Sequence, residues 1–414
     1  MKDLKIFTNN IEQKALDQID LLLEQEAFKD CKIRIMPDVH AGAGCVIGFT
    51  GNLGDKVIPN IVGVDIGCGM LCVELGNIDI DLAALDDFII NKIPSGFEVH
   101  KARKEEFEKL KDLKCYRELR DTKRLERSIG TLGGGNHFIE IDVDAEGNKY
   151  LVIHTGSRNL GKQVAEYYQE LANQILNYNK QEFFIERDKL IQEYKEQGRK
   201  QEIEKALGEL RKKYQENHNK IPKDLAYLEG QYRDDYLHDM KICQEFAFHN
   251  RSEISAEILV HLFTNNVKVR DRESLNYFET VHNYISFEDN IVRKGAISAR
   301  KGEKVLIPIN MRDGCIIGIG KGNKDWNCSA PHGAGRIMSR MEAKKTLKME
   351  EFKKEMDGIY TTSVCEETID EAPMVYKSMQ EIIENIKDTV EIVKIIKPIY
   401  NFKAKEVSKV KGNE

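Results

Sequence analysis

The interpretation of this chain depends on one stretch, Ser329-Ala330-Pro331-His332-Gly333-Ala334-Gly335-Arg336. Its single histidine stands among small residues, which let a ligand approach the backbone closely. Arg336 and, one helical turn further on, Arg340 can hold phosphate oxygens in bidentate hydrogen bonds. Histidine can attack phosphorus and form a covalent phosphoramidate. The segment therefore predicts a nucleophilic His332 beside a phosphate-binding site.

A second group of residues indicates a metal site. Asp65 and Cys68 stand three residues apart in a glycine-rich loop, and His137, His154 and His282 each adjoin a strand-like run. Taken singly, such residues are more often hydrogen-bonded core histidines or inert buried thiols. Together, imidazole, thiolate and carboxylate groups suit Zn, Mn, Fe or Co and not Ca or Mg. Because a thiolate can bridge two cations, these five groups can hold two metal ions.

The pattern along the chain predicts one catalytic domain over residues 1–414. Strand-like runs and glycine-rich turns fill residues 1–160 and 266–345, whereas residues 162–265 have the charge and apolar spacing of helices. The predicted ligands lie on both sides of this charged block, so we interpret it as a helical insertion. Within it, residues 189–215 predict a long solvated helix that forms half of a helical hairpin. Residues 346–414 are predicted to be helical and to fray after Lys403.

Composition narrows the class of protein. The chain has 414 residues, is 41% hydrophobic and 32% charged, and carries a formal net charge of −6. A nucleic acid would therefore have to bind at a local basic site and not to a generally basic surface. No apolar run approaches the roughly 18–20 residues of a transmembrane helix, and the first residues lack a signal-peptide core. We expect a cytoplasmic monomer without a membrane partner.

Longer motifs connect these sites to a known family. The stretches that carry the resemblance are, in chain order, Met36–His40, Val64–Gly69, Gly134–Phe138, His154–Arg158, Val281–Asn283, Arg293–Ala296, His332–Arg336 and Asp370–Pro373. Through them the chain resembles the RtcB-type RNA ligases over nearly its whole length apart from the helical block. The resemblance implies an α/β fold of its own kind, a single catalytic domain of mixed β-sheets with surrounding helices. It also implies joining of RNA 3′-phosphate or 2′,3′-cyclic phosphate ends to 5′-hydroxyl ends, in RNA repair or tRNA splicing.

The resemblance also implies roles for individual residues. His332 would attack the α-phosphorus of GTP and carry GMP, and an RNA(3′)ppG end would follow. Two Mn2+ ions would be held by Asp65, Cys68, His137, His154 and His282, with the cysteine bridging. The nucleotide would be contacted by Asn136, Glu140, Gly333, Ala334, Gly335 and Lys403. RNA phosphates would be contacted by Arg158, Lys294, Arg336 and Arg340. Independently of the resemblance, Asp38 or His40 could orient a metal ligand through a hydrogen bond on the side that faces away from the metal.

One loop departs from the family pattern and keeps other functions open. Asn310 and Cys315 stand where nucleotide-contacting serines are often found, so both are expected to face the nucleotide. The changed loop leaves room for an RNA-end-binding protein that no longer ligates. A metal-dependent phosphohydrolase would use the same cations without a covalent nucleotide. Family members differ in their need for a protein activator, which is therefore a further possible partner.

Overall fold

The computed structural model describes residues 3–178, 180–216, 221–264 and 275–404. Its strands are β1 (Leu4–Ile6), β2 (Ile33–His40), β3 (Ile47–Gly51), β4 (Gly69–Gly76), β5 (Phe138–Val143), β6 (Lys149–Thr155), β7 (Tyr277–Val281), β8 (Asn283–Ile285), β9 (Val292–Lys294), β10 (Ala296–Ser298), β11 (Lys304–Asn310), β12 (Gly314–Gly320), β13 (Ser329–Pro331) and β14 (Val390–Lys403). Its α-helices are α1 (Gln13–Glu24), α2 (Pro59–Val62), α3 (Leu82–Lys92), α4 (Thr122–Glu126), α5 (Arg158–Tyr178), α6 (Lys180–Glu196), α7 (Ile203–Glu216), α8 (Gly230–Thr264), α9 (Arg340–Thr346), α10 (Met349–Glu355) and α11 (Met379–Asn385). This is the mixed α/β architecture that the sequence predicts.

A seven-stranded antiparallel sheet forms the centre of the fold. Its order is β11-β12-β14-β5-β6-β4-β7, and the two outer strands, β11 and β7, approach each other so that the sheet nearly closes into a barrel. Alternate residues of a strand face opposite sides of a sheet. Residues such as Met70, Phe138 and Val152 therefore pack inside the curve, whereas Leu71 and Ile139 pack on the outer face, toward α3 and α8.

A five-stranded sheet, ordered β1-β2-β3-β9-β8, lies against a second core, and β10 pairs with β13. The long helix α8 connects the two cores. Its first half contributes Tyr236 and Phe246 to the core of the five-stranded sheet, and its second half contributes Ile254 and Ile258 to the outer core of the seven-stranded sheet. Between these two apolar segments, the buried side chains of Asn250 and Arg251 donate hydrogen bonds to backbone carbonyl oxygens of Gly67, Thr155 and Gly156, so α8 ties the sheets together.

The predicted helical block is helical, but its single long helix over residues 189–215 is wrong. The structure has α6 and α7 there, packed on each other as a hairpin with its turn inside the predicted helix. Gly198, just beyond α6, has a φ of 71°, a left-handed conformation that commonly ends helices. Helices α5 and α8 contribute to the main cores, whereas most of the described side chains of α6 and α7 are exposed or half-buried, as predicted for residues 189–215.

The C-terminal prediction is also wrong in part. Helices α10 and α11 are only seven residues each, and the longest strand of the sheet, β14, occupies Val390–Lys403. Val390, Ile392, Ile395 and Ile396 are β-branched residues that fit a pleated sheet better than a helix. The expected fraying after Lys403 falls on residues 405–414, outside the described residues. Among the residues described, no helix has the length and apolar character needed to cross a membrane.

Candidate active site and metal centre

The five predicted metal ligands come together at one end of neighbouring strands. Asp65 and Cys68 lie on the loop that leads into β4, and His137 directly precedes β5. His154 lies near the end of β6, and His282 directly follows β7. The sheet places these strands side by side, with Phe138 opposite His154 and with Gly69 opposite both Thr155 and Val281. Strand pairing therefore gathers residues that are up to 217 positions apart in sequence.

The donor atoms of these residues are in mutual contact. Cys68 Sγ lies 3.4 Å from His137 Nε2 and 3.3 Å from His154 Nε2. His137 Nε2 lies 3.0 Å from Asp65 Oδ2, and the Nε2 atoms of His154 and His282 are 3.3 Å apart. All except Asp65 are buried. The sequence suggested the residue types, and the folded chain shows that they form one cluster.

Hydrogen bonds behind the cluster determine which ring nitrogens face it. His137 Nδ1 is 2.9 Å from the carbonyl oxygen of Leu132, and His154 Nδ1 is 3.2 Å from that of Asn136. A carbonyl oxygen only accepts, so each Nδ1 carries the proton and each Nε2 turns a lone pair toward the cluster. Lone pairs that converge this closely repel each other unless a cation lies between them. The donor set therefore fits a divalent transition metal.

Burial disfavours charge on three groups of the cluster. Burial and the neighbouring His282 ring hold the pKa of His154 well below its ordinary value, and burial and the His332 ring do the same for His282. Burial and the carboxylate of Asp65 raise the pKa of the Cys68 thiol well above its ordinary value. Burial opposes ionisation of Asp65 as well, yet its contact with His137 and the charge of Arg158 lower the pKa of this carboxyl. A cation would displace the thiol proton, so metal binding would release a proton.

Asp38 orients the predicted nucleophile, His332. Its Oδ2 atom accepts hydrogen bonds from His332 Nδ1 at 2.6 Å and from the His332 backbone N–H at 3.0 Å. With Nδ1 protonated, the lone pair of a neutral His332 ring lies on Nε2. The ring centroid of His332 is 4.8 Å from that of His282, so the nucleophile adjoins the metal cluster. A Cβ on Gly335 would overlap the backbone of Asp38, which explains the small residue there.

His332 also lines a cavity of about 490 Å³ that reaches the metal cluster at His154. The cavity collects most of the predicted nucleotide contacts, namely Asn136, Glu140, Asn310, Gly333, Ala334, Gly335 and Lys403. Arg336, Arg340 and His40 line it as well. The ring of His40 bonds through Nδ1 to the carbonyl oxygen of Asp38 at 2.9 Å. His40 and Asp38 therefore both lie beside His332, whereas the sequence suggested that they orient a metal ligand.

Cys315 was predicted to contact the nucleotide, and the structure does not place it on the cavity wall. On β12 its side chain faces the interior of the curved sheet and is fully buried, beside Asp142 and Glu140. Both carboxylate oxygens of Asp142 are buried without a hydrogen-bond partner among the described residues. Burial and the nearby Glu140 raise the pKa of Asp142 well above its ordinary value. The side chains of a strand point alternately to the two faces of a sheet, and this alternation decides which way the Cys315 side chain points. The sequence of the loop did not reveal where the alternation begins.

Two of the four predicted RNA contacts also point elsewhere. Lys294 is buried, and its Nζ donates to the carbonyl oxygens of Ala43 at 2.6 Å and Asn60 at 2.8 Å. The guanidinium of Arg158 donates to Thr131 Oγ1 at 3.0 Å and to the carbonyl oxygen of Gly96 at 2.9 Å. Both cations are therefore engaged by the protein itself, and neither lines the cavity.

Sequence reasoning missed a carboxylate at the cavity wall, Glu371. It contacts Arg336, Arg340 and Lys403, the three cations of the cavity that the sequence assigned to phosphate and nucleotide. The only sequence feature that pointed to Glu371 was its place in the Asp370–Pro373 motif. Nothing in the sequence shows that three cations so far apart along the chain share one carboxylate.

The chain is similar to a known family over most of its length. The family model described as tRNA-splicing ligase RtcB matches residues 27–120 and 112–404. The RNA-splicing ligase RtcB of Escherichia coli strain K12 is 31% identical over 406 residues, which cover 89% of this chain and 88% of that protein. The tRNA-splicing ligases RtcB of Aeropyrum pernix and Nanoarchaeum equitans are each 26% identical, covering 84% of this chain and 83% of each relative.

Proposed function

Because the chain belongs to the RtcB family of RNA-splicing ligases, we propose that it joins RNA 3′-phosphate or 2′,3′-cyclic phosphate ends to 5′-hydroxyl ends. We propose GTP and two Mn2+ ions as its cofactors, and RNA repair or tRNA splicing as its role. One observation carries the proposal. The Nδ1 atom of His332 is fixed by Asp38, and the ring borders both the cavity and the cluster of metal-binding side chains.

The metal ions would be held by Asp65, Cys68, His137, His154 and His282. When bound, they would offset negative charge on phosphate oxygens and lower the pKa of water. Arg336 and Arg340 add fixed positive charge along the same wall of the cavity. Phosphoryl transfer depends mainly on positioning and on such electrostatic stabilisation. Glu140 and Asn136 would contact the guanylate and Lys403 the guanine base, and the lining of the cavity by all three supports these roles.

His332 begins the reaction. Its Nε2 atom attacks the α-phosphorus of GTP, an N–P bond forms, and the bond to the β-phosphate breaks with loss of pyrophosphate. The ring becomes positively charged in this step, and the carboxylate of Asp38 stabilises that charge through Nδ1. The histidine thus carries GMP.

The RNA ends react next. Water first opens a cyclic phosphate end to a 3′-phosphate. An oxygen of the 3′-phosphate then attacks the guanylate phosphorus, which breaks the N–P bond to His332 and gives the RNA(3′)ppG end. The 5′-hydroxyl of the second strand attacks the RNA phosphorus, and GMP leaves with the electron pair of the broken P–O bond.

Mass spectrometry after incubation with GTP and Mn2+ tests the proposal. We expect a mass gain of one GMP on the peptide that contains His332, and none in His332→Ala. His249→Ala is a matched control, because His249 lies on α8, where it bonds to Glu105 away from the cavity.

An oligonucleotide with a 3′-phosphate and a partner with a 5′-hydroxyl then test joining. No adduct in metal-loaded protein would contradict the proposal and favour a metal-dependent phosphohydrolase. Binding of the RNA end without joining would favour an end-binding protein. A gain in ligation on adding cell extract would point to a protein activator.

A further inference from the structure

Glu371 is a buried carboxylate whose two oxygens are fully used by neighbouring side chains. Its Oε1 atom lies 3.3 Å from an Arg336 nitrogen and 2.8 Å from an Arg340 nitrogen. Its Oε2 atom accepts from the Tyr376 hydroxyl at 2.5 Å and from Lys403 Nζ at 3.1 Å. A carboxylate offers about four acceptor positions. Glu371 therefore has none left for a substrate or a cation, so its action must pass through its partners.

Those partners come from separate parts of the chain and line different parts of one cavity. Lys403, on β14, also lies 3.4 Å from the carbonyl oxygen of Asn136, at the end where the base would bind. Arg336 follows His332 by four residues, and Arg340 begins α9. Glu371 is the only described residue with ion pairs to all three of these cations.

The cations differ in how firmly they are held. The side chains of Lys403 and Arg336 are 5% and 12% exposed, whereas that of Arg340 is 43% exposed. Arg340 also pairs with Asp370, 2.7 Å away, so it keeps one carboxylate when it turns toward a phosphate.

The group around Glu371 is positively charged overall. Asp370 pairs with Lys344 as well, so this group of four cations and two carboxylates keeps two positive charges for an anionic ligand. Burial opposes ionisation of Glu371, but Lys403, Arg340 and Arg336 hold its pKa at about 2, so it stays charged.

We propose that Glu371 is a positioning residue that fixes the base-binding end of the cavity relative to its phosphate-binding end. It holds Lys403 at one end and Arg336 with Arg340 at the other, and thereby sets the distance from the guanine site to the α-phosphorus that His332 attacks. This inference rests on the proposed function, because it assigns the two ends to the two parts of GTP.

Glu371→Gln tests the proposal, with Asp144→Asn as the matched control. The glutamine has the same size but neither the charge nor four acceptor positions. Asp144 is also a buried carboxylate, paired with Lys394 and bonded to the Tyr150 hydroxyl, but it lies outside the cavity. A misplacement of about 1 Å can lower a rate about 100-fold, so we expect that loss in GMP transfer at saturating GTP. The KM for GTP should change less than about tenfold, because removing a negative charge also favours phosphate.

The control should transfer GMP at a rate within about threefold of the wild type. Transfer by Glu371→Gln at the wild-type rate would overturn the proposal. An equal loss of transfer and of folded protein, measured by thermal unfolding, would show a structural role only. If the glutamine variant does not fold, Glu371→Asp keeps the charge but cannot reach all four partners, and the same measurements apply to it.

A second measurement does not depend on the reaction. Acetylation of lysines by acetic anhydride, mapped by mass spectrometry, should increase several-fold at Lys403 in Glu371→Gln. It should stay unchanged at Lys294, which is equally buried but held by backbone carbonyls. If the wild type formed no GMP adduct, the proposed function would fail and labelling alone would decide the role of Glu371. Unchanged labelling of Lys403 would overturn that role.

Discussion

Replacing Asp38 by asparagine tests how His332 is made into a nucleophile. Asp38 Oδ2 accepts from both the ring and the backbone N–H of His332, while its Oδ1 is buried without a partner among the described residues. Asparagine fits the same space, with its amide oxygen at the position of Oδ2, because the backbone N–H still needs an acceptor. The variant keeps the ring orientation and loses only the negative charge.

Two contributions set the size of the effect. A hydrogen bond to a charged group contributes about 1.5–3 kcal/mol and a neutral one about 0.5–1.5 kcal/mol, so roughly 1 kcal/mol is lost. The ring also gains positive charge as Nε2 bonds to phosphorus. A full positive charge on the ring about 4 Å from the Asp38 carboxylate would be stabilised by up to about 4 kcal/mol at an effective dielectric constant of about 20. Only part of this charge has developed in the transition state. We expect a total of about 2–4 kcal/mol, or about 30- to 1000-fold in rate.

The assay is single-turnover transfer of labelled GMP from saturating GTP, followed on a denaturing gel. Asp86→Asn is the matched control. Asp86 is also a buried carboxylate, and it is bonded to the Tyr400 and Thr362 hydroxyls away from the cavity. The folded Asp86→Asn variant should therefore transfer GMP at the wild-type rate. If Asp38→Asn transferred GMP within threefold of the wild type while His332→Ala was inactive, the electrostatic role of Asp38 would be refuted.

Four further outcomes are expected. A Cβ in Gly156→Ala would overlap the carboxylate of Asp65, so metal affinity measured by equilibrium dialysis should fall about 10- to 100-fold, and an unchanged affinity would remove Asp65 from the ligand set. Mn2+ at about 100 times its Kd should stabilise the wild type by about 2.7 kcal/mol, and Cys68→Ser should lose most of this gain in thermal unfolding. Lys294→Met removes the donor of two partly buried carbonyl groups and should lower the free energy of unfolding by about 1–3 kcal/mol without changing RNA affinity; a selective loss of RNA binding would restore its predicted role. The pKa of Glu371 is lowered from 4.5 to about 2, so the ionised side chain stabilises the folded protein by about 3 kcal/mol at pH values above 4.5. This stabilisation is lost as the pH falls toward 2. The free energy of unfolding of Glu371→Gln, measured in urea, should therefore depend less on pH over that range.

The sequence predicted much of the site because chemistry was concentrated in short motifs. Asp65 and Cys68 share one glycine-rich loop, and each histidine adjoins a strand, so residue type and spacing suggested the cluster before any pairing was known. The contact between His154 and His282 could not be inferred, because it depends on which strands become neighbours. Strand order is a property of the whole sheet and leaves no local signal.

Side-chain direction accounts for the predictions that failed. Cys315 and Lys294 both lie on strands, where a side chain faces one side or the other according to register. A motif shows that a residue is present but not which way it points. Similarly, charged residues such as Glu391 and Lys394 gave the β14 segment a helical appearance, although its branched apolar residues fit a strand. Glu371 was missed because its three cationic partners lie 31 or more positions away.

The place of β14 in the sheet has a consequence for how the protein is made. β14 lies between β12 and β5, so it alone joins the β11–β12 pair to the strands β5, β6, β4 and β7. A ribosome completes all of these strands before it reaches residue 390. The second group carries or adjoins every predicted metal ligand, whereas Lys403 arrives only with β14. We therefore expect stalled nascent chains that end before residue 390 to retain labelled metal but not to crosslink to GTP. Synthesis from the N-terminus would then impose an order of loading, with metal taken up before nucleotide.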